Sequence, residues 1–206
     1  LGVGKQKPDA PTLAEFQNFM KRVRESGQVA DTKDLVRYSR LFEDEVTLDS
    51  LNQQQLKALC QILEINTIGP NQLLIFLLRM RLRQLKVDDR MIYDEGVDKL
   101  PVWELQSLCR ERGMRSLGLS EDRLRYQLSQ WLDMHLVQNV PMTLLLYSRA
   151  MYLPDHLTSE EKITQAIALM PKSASVEAAL KAAESSTGRV DNKAKWEVIK
   201  QEEKRL

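Results

Sequence analysis

Basic side chains that could bind phosphate are concentrated in the middle of the sequence. The first group is a run within 79–86 that contains no acidic residue. The second group, within 110–125, crowds the end of one predicted helix, the following loop and the next helix. The predicted basic patch consists of Arg79, Arg81, Arg83, Lys86, Arg110, Arg112, Arg115, Arg123 and Arg125. If the two groups pack side by side, the patch would bind RNA phosphates in a salt-sensitive way.

An ordinary solvated face is the alternative interpretation of this patch. Glu111, Glu121 and Asp122 lie among the arginines and could pair with them. The formal net charge of the chain is only +1, from 30 Lys and Arg against 29 Asp and Glu. Because global charge gives no attraction to nucleic acid, a phosphate-binding site must be a local patch.

Patterns of catalysis and metal binding are missing from the sequence. A calcium loop needs ligands at its first, third and fifth positions and glycine at its sixth. Counted from Asp88, the third position is Arg90, and Gly96 comes three residues late. His135 and His156 are far apart and match no nucleophile or metal motif. We therefore expect no enzymatic activity, no cofactor and no metal ion in this chain.

Cysteine content and hydropathy limit where the chain can reside. Its two cysteines, Cys60 and Cys109, are too few for a disulfide framework. Both fall on apolar faces, so we expect buried thiols in a reducing compartment. No run of about 18 apolar residues suggests a membrane span. The sequence does not begin with Met, and we expect it to be part of a longer protein.

The segments that position the basic residues are predicted to be helices. Apolar residues recur every three or four positions, without the alternation that is typical of strands. Aromatic residues make up only 6% of the chain. The predicted capping residues at helix starts are Thr12, Thr32, Asn52, Ser120 and Thr158. The sequence therefore predicts an all-α fold.

Two helix boundaries follow from local signals. The acidic triplet 43–45 is predicted to close the helix that Thr32 begins. Negative charge is unfavourable at a helix C-terminus, so the triplet is a candidate partner for a basic group elsewhere. The break at 69–71 is predicted to start a helix over 72–86, followed by a separate short helix over 90–94.

Segments 51–82 and 100–132 are predicted to be two copies of one unit: helix, extended loop, helix. The residues Leu51, Leu56, Leu59, Cys60, Ile68 and Gly69 recur 49 positions later as Leu100, Leu105, Leu108, Cys109, Leu117 and Gly118. The residues Leu74, Leu78 and Leu82 recur 50 positions later as Leu124, Leu128 and Leu132. Two short helices bury little alone. The loop residues predicted to plug the gap between the helices are Ile65 and Ile68, and Met114 and Leu117.

The composition divides the chain into three predicted parts. Residues 1–10 form a flexible leader, and residues 11–172 form the helical domain that contains both repeats. Residues 173–206 are alanine-rich and then strongly charged, which indicates a C-terminal helical extension or the start of a coiled coil.

Each repeat resembles the SAP motif of DNA- and RNA-binding proteins, over about 35 residues. A longer resemblance covers about residues 16–200. It is carried by the segments LFEDEVTLDSL (41–51), LKALCQILEI (56–65), DDRMIYDEGVDKL (88–100), ELQSLCRERGMRSLG (104–118), QWLDMHL (130–136), VPMTLLLYSRAMYLPD (140–155) and VDNKAK (190–195). With these segments the chain resembles the LETM family of mitochondrial inner-membrane proteins.

The resemblance implies an all-helical, 14-3-3-like, ribosome-binding domain in the mitochondrial matrix. It also implies a single-pass inner-membrane protein, with the membrane span before Leu1 and an EF-hand beyond Leu206. The family is implicated in potassium/proton or calcium/proton exchange, in mitochondrial volume and cristae shape, and in contact with mitochondrial ribosomes. The implied partners are a mitochondrial ribosomal protein or RNA, and another copy of the chain.

Two other functions are compatible with the sequence. In the first, the domain drives oligomerisation or gating of the membrane part without contacting ribosomes. In the second, the chain is a nucleic-acid binder of the SAP type, and the second repeat alone would bind DNA or RNA.

Overall fold

The computed structural model describes residues 11–26, 31–150, 157–187, 192, 195–197 and 199–200. All regular elements within these ranges are helical, which confirms the predicted all-α class. The α-helices are α1 (Leu13–Ser26), α2 (Thr32–Ser39), α3 (Asp44–Ser50), α4 (Gln53–Ile62), α5 (Asn71–Glu95), α6 (Val102–Glu111), α7 (Glu121–Leu132), α8 (Met142–Ala150), α9 (Ser159–Ala168) and α10 (Lys172–Thr187). A 3-10 turn covers Val97–Lys99, and a π-helical turn covers Asp133–Val137.

The helices form two compact units. The first unit contains α1, α2, α3, α9 and α10, and the second contains α4 to α8 with both turns. Among the helices of the described ranges, none is long and apolar enough to cross a membrane. The predicted division at 10 and 172 stays a prediction, and the leader 1–10 lies outside the described residues.

An aromatic cluster and an alanine-rich helix form the core of the first unit. Phe16 and Phe19 of α1 are buried together with Tyr38 and Phe42, and the rings of Phe19 and Tyr38 lie 4.5 Å apart between centroids. Helix α1 packs against α10. The buried alanines of α10 are Ala174, Ala178, Ala179, Ala182 and Ala183. Their small side chains allow a short distance between the helix axes.

The acidic triplet 43–45 begins a helix instead of closing one, so that prediction is wrong. Helix α2 ends at Ser39, because the next residues form a tight turn that buries Phe42 in the aromatic cluster. Helix α3 starts at Asp44, where negative charge in the first turn is favourable. Glu43 forms an ion pair with Lys181, so the expected basic partner of the triplet is present.

Side-chain capping begins four of the five helices for which it was predicted. The side chains of Thr12, Asn52, Ser120 and Thr158 accept backbone N–H hydrogen bonds at 3.3, 2.9, 3.3 and 3.2 Å. The prediction for Thr32 is wrong, because Thr32 is the first residue of α2 itself. Asp31 precedes it as the N-cap residue, without a side-chain capping bond.

Helix α5 is longer than predicted and absorbs the expected short helix over 90–94. It runs without interruption for 25 residues. No Gly or Pro occurs between 71 and 95, and Asp89 and Ile92 continue its buried face beyond Leu85. The helix ends at Gly96, whose φ of 89° is readily adopted only by glycine.

The matching leucines and cysteines line the core of the second unit. The buried members of the pattern are Leu51, Leu56, Leu59, Cys60, Leu74, Leu78, Leu82, Leu100, Leu105, Cys109, Leu124, Leu128 and Leu132, whereas Leu108 is half-buried. Both cysteines are reduced and buried, as predicted. Burial raises the pKa of the Cys60 thiol to about 11, so this thiol is inert at neutral pH.

The loop plugs are only partly as predicted. Met114 is buried and Ile65 is half-buried. Ile68 and Leu117, by contrast, are 78% and 75% exposed, so their assignment as plugs is wrong. Ile62 of α4 occupies the space beside Gly113, where an added Cβ would lie 2.0 Å from its Cγ2. A neighbouring helix therefore closes the second loop, and Leu117 is left at the surface.

Candidate interaction site

A buried cluster of polar side chains connects α5, α6, α7 and the π-helical turn. Asp89 of α5 and Arg112, just after α6, are both completely buried. Asp89 Oδ1 accepts a hydrogen bond of 2.7 Å from Arg112 Nε, and Arg112 Nη2 lies 2.6 Å from the same oxygen as an ion-pair contact. Asp89 Oδ2 accepts a 2.8 Å bond from Trp131 Nε1 and lies 2.8 Å from His135 Nδ1. We call these four residues the Asp89 cluster.

The surroundings of Asp89 favour its ionised form. Burial raises the pKa of this carboxyl group, but the hydrogen bonds with His135, Trp131 and Arg112 and the positive charge of Arg112 together lower it by more. The pKa therefore lies below the ordinary value of 3.8. Because a carboxylate only accepts hydrogen bonds, Nδ1 of His135 carries the proton that it shares with Asp89.

The Asp89 cluster positions the loop between α6 and α7. Arg112 Nη1 also donates a 2.8 Å hydrogen bond to the carbonyl oxygen of Leu108, which holds the last turn of α6. On the other side, the guanidinium group of Arg149 lies 4.9 Å from the centre of the Trp131 ring. Burial lowers the pKa of Arg149 to about 10, so this cation–π contact keeps its charge at neutral pH. The loop thus starts from a rigid base.

Several members of the predicted basic patch are paired with acidic side chains. The prediction that Arg112 binds phosphate is wrong, because its guanidinium is buried against Asp89. Arg81 is part-buried and pairs with Glu111 at 3.2 Å. Arg125 pairs with Glu121 and donates a 3.3 Å hydrogen bond to a backbone carbonyl. For Arg81 and Arg125 the alternative interpretation, arginine paired with glutamate, describes the structure better.

Three predicted arginines remain exposed around the α6–α7 loop. Arg110 is exposed and lies 3.8 Å from Glu64, a solvent-exposed contact. Arg115 is in the loop, and its carbonyl oxygen accepts a 2.7 Å hydrogen bond from Gln127 of α7. Arg123 lies one turn before Gln127, on the same face of α7. This hydrogen bond therefore brings the backbone of Arg115 close to the helix face that carries Arg123.

An exposed aromatic ring and an exposed leucine accompany these arginines. The guanidinium of Arg123 lies 5.5 Å from the ring centre of Tyr126, which is itself exposed. Leu117 projects from the loop between Arg115 and α7. We call Arg115, Leu117, Arg123 and Tyr126 the loop–α7 surface. Such a surface can bind phosphate through guanidinium groups and an unpaired base through the tyrosine ring.

The remaining members of the predicted patch lie on α5. Arg83 and Lys86 are exposed there, and Arg79 is half-buried. These residues belong to a different helix from the loop–α7 surface.

Sequence reasoning missed the Asp89 cluster, although a signal for it exists. Asp89 continues the buried stripe of α5, four residues after Leu85 and seven after Leu82. A charged residue inside an apolar stripe requires a buried partner. A helix that ends at residue 86 leaves Asp89 outside the buried stripe, and the sequence alone indicates no partner for His135.

The described residues thus form an all-helical protein in which exposed arginines lie beside an exposed tyrosine on the loop–α7 surface. The family model described as "LETM1-like, RBD" matches residues 3–152 of the chain. The chain therefore belongs to this family, which confirms the resemblance seen in the sequence.

Two curated relatives are mitochondrial proteins. The "Mitochondrial proton/calcium exchanger protein" of Drosophila melanogaster is 44% identical over 192 residues, covering 93% of this chain and 19% of the relative. The "LETM1 domain-containing protein mdm28, mitochondrial" of Schizosaccharomyces pombe is 40% identical over 136 residues, covering 66% of this chain and 29% of the relative. The chain thus spans less than a third of the length of either relative.

Proposed function

We propose that this chain is the matrix-facing, ribosome-binding domain of a mitochondrial inner-membrane protein that takes part in cation/proton exchange. The family match supports the domain assignment. The name of the Drosophila relative supports a link to proton/calcium exchange. Potassium/proton exchange, and a role in mitochondrial volume and cristae shape, belong to the same proposal for the whole protein.

The observation that carries the ribosome proposal is the loop–α7 surface. Arg115 and Arg123 are exposed next to an exposed tyrosine, a combination that suits RNA loops with unstacked bases. The rigid Asp89 cluster beneath the loop reduces the entropy lost on binding. Arg110 at the end of α6 extends the positive charge toward α4.

The organisation proposed for the chain combines the repeat pattern of the sequence with what the family resemblances imply. We propose that 51–82 and 100–132 are two SAP-like units within a 14-3-3-like domain of residues 11–172. We propose that 173–206 continue this domain as a helical extension, whose first part, α10, packs into the core of the first unit. Buried leucines at matching positions support the duplication. The span before Leu1 and the EF-hand beyond Leu206 are parts of the proposed whole protein.

Co-sedimentation with mitochondrial ribosomes tests the proposal. The variant Arg110→Glu, Arg115→Glu, Arg123→Glu should lose binding, and wild-type binding should weaken as salt increases. The matched control is Lys21→Glu, Lys33→Glu, Lys172→Glu, which changes the net charge equally at three exposed lysines of the first unit. Equal binding by both variants would refute the role of the loop–α7 surface.

Two further outcomes distinguish the alternatives. Binding of the isolated chain to naked RNA as tightly as to ribosomes would favour the SAP-type nucleic-acid binder. Intact cation flux in reconstituted full-length protein that carries the arginine variant would separate ribosome binding from exchange. Loss of flux would favour the oligomerisation or gating function.

A further inference from the structure

Helix α5 carries an apolar stripe on the side that faces away from the core. The stripe consists of Leu73, Phe76, Met80, Val87 and Met91, with Gln84 in the remaining position. Each of its apolar side chains is between 41% and 60% exposed. At 3.6 residues per turn these positions fall within roughly 80° of the helix circumference. The stripe is about 27 Å long at 1.5 Å per residue.

Isolated exposed apolar residues are common on protein surfaces, but a continuous row of them indicates an interaction site. The spacing of seven residues between Leu73, Met80 and Val87, with Phe76 between the first two, is the pattern by which one helix packs along another. The opposite face of α5 is occupied by the core of its unit, including Leu78, Leu82 and Asp89. The exposed stripe is thus a second packing face on one helix.

The charges beside the stripe change sign along the helix. One flank carries Arg83 and Arg90, both exposed and seven residues apart, and Arg79 and Lys86 lie on the same side. Toward the C-terminus of α5 the stripe is bordered by Asp94 and Glu95. A partner that matches this pattern is acidic opposite the middle of α5 and lacks negative charge opposite its last turn.

This pattern disfavours two other occupants. A uniformly anionic lipid surface would be attracted by the arginines but repelled by Asp94 and Glu95. A second copy of α5, in parallel or antiparallel orientation, would bring the basic middle of one helix against the basic middle of the other. An amphipathic helix with acidic flanks meets both the apolar and the charged requirement.

We propose that the exposed face of α5 is a docking site for an acidic amphipathic helix of a partner protein. The partner helix packs its apolar side on Phe76, Met80 and Val87. Its carboxylates pair with Arg83 and Arg90. This site is separate from the loop–α7 surface, and the proposal does not depend on ribosome binding.

Site-specific photo-crosslinking in mitochondria tests this docking site with the full-length protein. Benzoylphenylalanine placed at Phe76 should form an adduct whose mass-spectrometric identification gives a helical segment with apolar spacing and acidic flanks. The same probe at Trp103, an aromatic residue of α6 that is also exposed, should not form that adduct. Adduct with lipid, adduct with a second copy, or no adduct specific to position 76 would overturn the proposal.

Reversing the charges of Arg83 and Arg90 tests whether these arginines contribute to binding of the partner helix. Arg83→Glu with Arg90→Glu should lower the yield of the adduct roughly tenfold, since two exposed pairs become repulsive. Lys33→Glu with Lys172→Glu, the control with the same change in net charge, should leave the yield unchanged. Both pairs of substitutions affect exposed side chains, so thermal unfolding should be similar in all variants. An adduct that is insensitive to reversal at 83 and 90 would contradict the charge pairing.

Discussion

The second unit contains two helical hairpins, α4–α5 and α6–α7. The first helix of each hairpin ends with the same backbone geometry, but the junction after it is filled by an apolar side chain in one hairpin and by a charged side chain in the other. Ile65 donates to the carbonyl of Cys60 at 2.8 Å, and Met114, 49 positions later, donates to that of Cys109 at 2.9 Å. The residue after each helix is Leu63 in the first hairpin and Arg112 in the second, and both are buried. The same backbone geometry is thus compatible with a buried leucine or with a buried ion pair.

The difference shows what a buried ion pair contributes. An apolar side chain such as Leu63 stabilises any tightly packed arrangement. The guanidinium of Arg112 is satisfied only where the carboxylate of Asp89 is present. Because removing charges from water is costly, such a pair adds little net stability. We expect that it specifies instead the position of the α6–α7 loop, which carries the loop–α7 surface.

Of the changes at the two junctions, removal of the Asp89 carboxylate should have the largest effect on stability. Asp89→Ala leaves Arg112 buried without its counter-charge and should lower the free energy of unfolding by about 3–5 kcal/mol, measured by urea denaturation. The double variant Asp89→Leu, Arg112→Leu copies the apolar closure of the first hairpin and should recover part of that loss. Equal losses in the single and double variants would show that the unpaired charge is not the cause.

Substitutions at Gly113 and Glu64, the residues that follow the two junctions, should change the free energy of unfolding in opposite directions. Gly113 and Glu64 both have positive φ, 70° and 55°. Gly113→Ala should destabilise the fold by about 1–3 kcal/mol, because it adds strain and its Cβ meets Ile62. Glu64→Gly should stabilise it by up to about 1 kcal/mol, since glycine adopts this conformation without strain. Thermal and urea unfolding would measure the change in the free energy of unfolding for each variant. Changes of the same sign in both variants would contradict the prediction.

A fall in pH should reduce the stabilisation from the Asp89–Arg112 junction but not that from the Leu63 junction. The pKa of Asp89 is lowered in the folded state, so its contribution is fully present above the unfolded value of about 4 and is lost as pH falls toward the folded pKa. The free-energy difference between wild type and Asp89→Asn should therefore shrink below about pH 4. Leu63→Ala, in the apolar junction, should show a constant difference over the same range. A constant difference for Asp89→Asn would argue against an ionised Asp89.

The smallest expected effect concerns the exposed loop residues of both hairpins. Ile68→Ser and Leu117→Ser should each change the free energy of unfolding by no more than about 0.5 kcal/mol, because neither side chain is buried. Losses above about 2 kcal/mol, as for a core residue, would restore their assignment as plugs. In the proposed function, Leu117→Ser should still weaken ribosome binding, whereas Ile68→Ser should not.

Much of the fold was predictable from local patterns. Apolar residues at every third or fourth position and capping residues identified most helices and both buried cysteines, because these signals act within a few residues. The boundary at 43–45 was wrong because burial of Phe42 ends α2 before the acidic triplet. The boundary at 86 was wrong because Asp89 and Ile92 continue the buried face of α5. Of the predicted basic patch, sequence could not separate the exposed Arg115 and Arg123 from the buried Arg112, since all three occur in the same charged segment.

The sequence by itself determined the all-α class, the family and the matching leucine positions of the two hairpins. Only the tertiary structure decided that Arg112 is an internal ligand of Asp89, that Ile68 and Leu117 face solvent, and that α5 has a second, exposed apolar face. The physical reason is that periodicity records which residues share a helix face. Whether that face, or an arginine beside it, is buried depends on which other helix packs there.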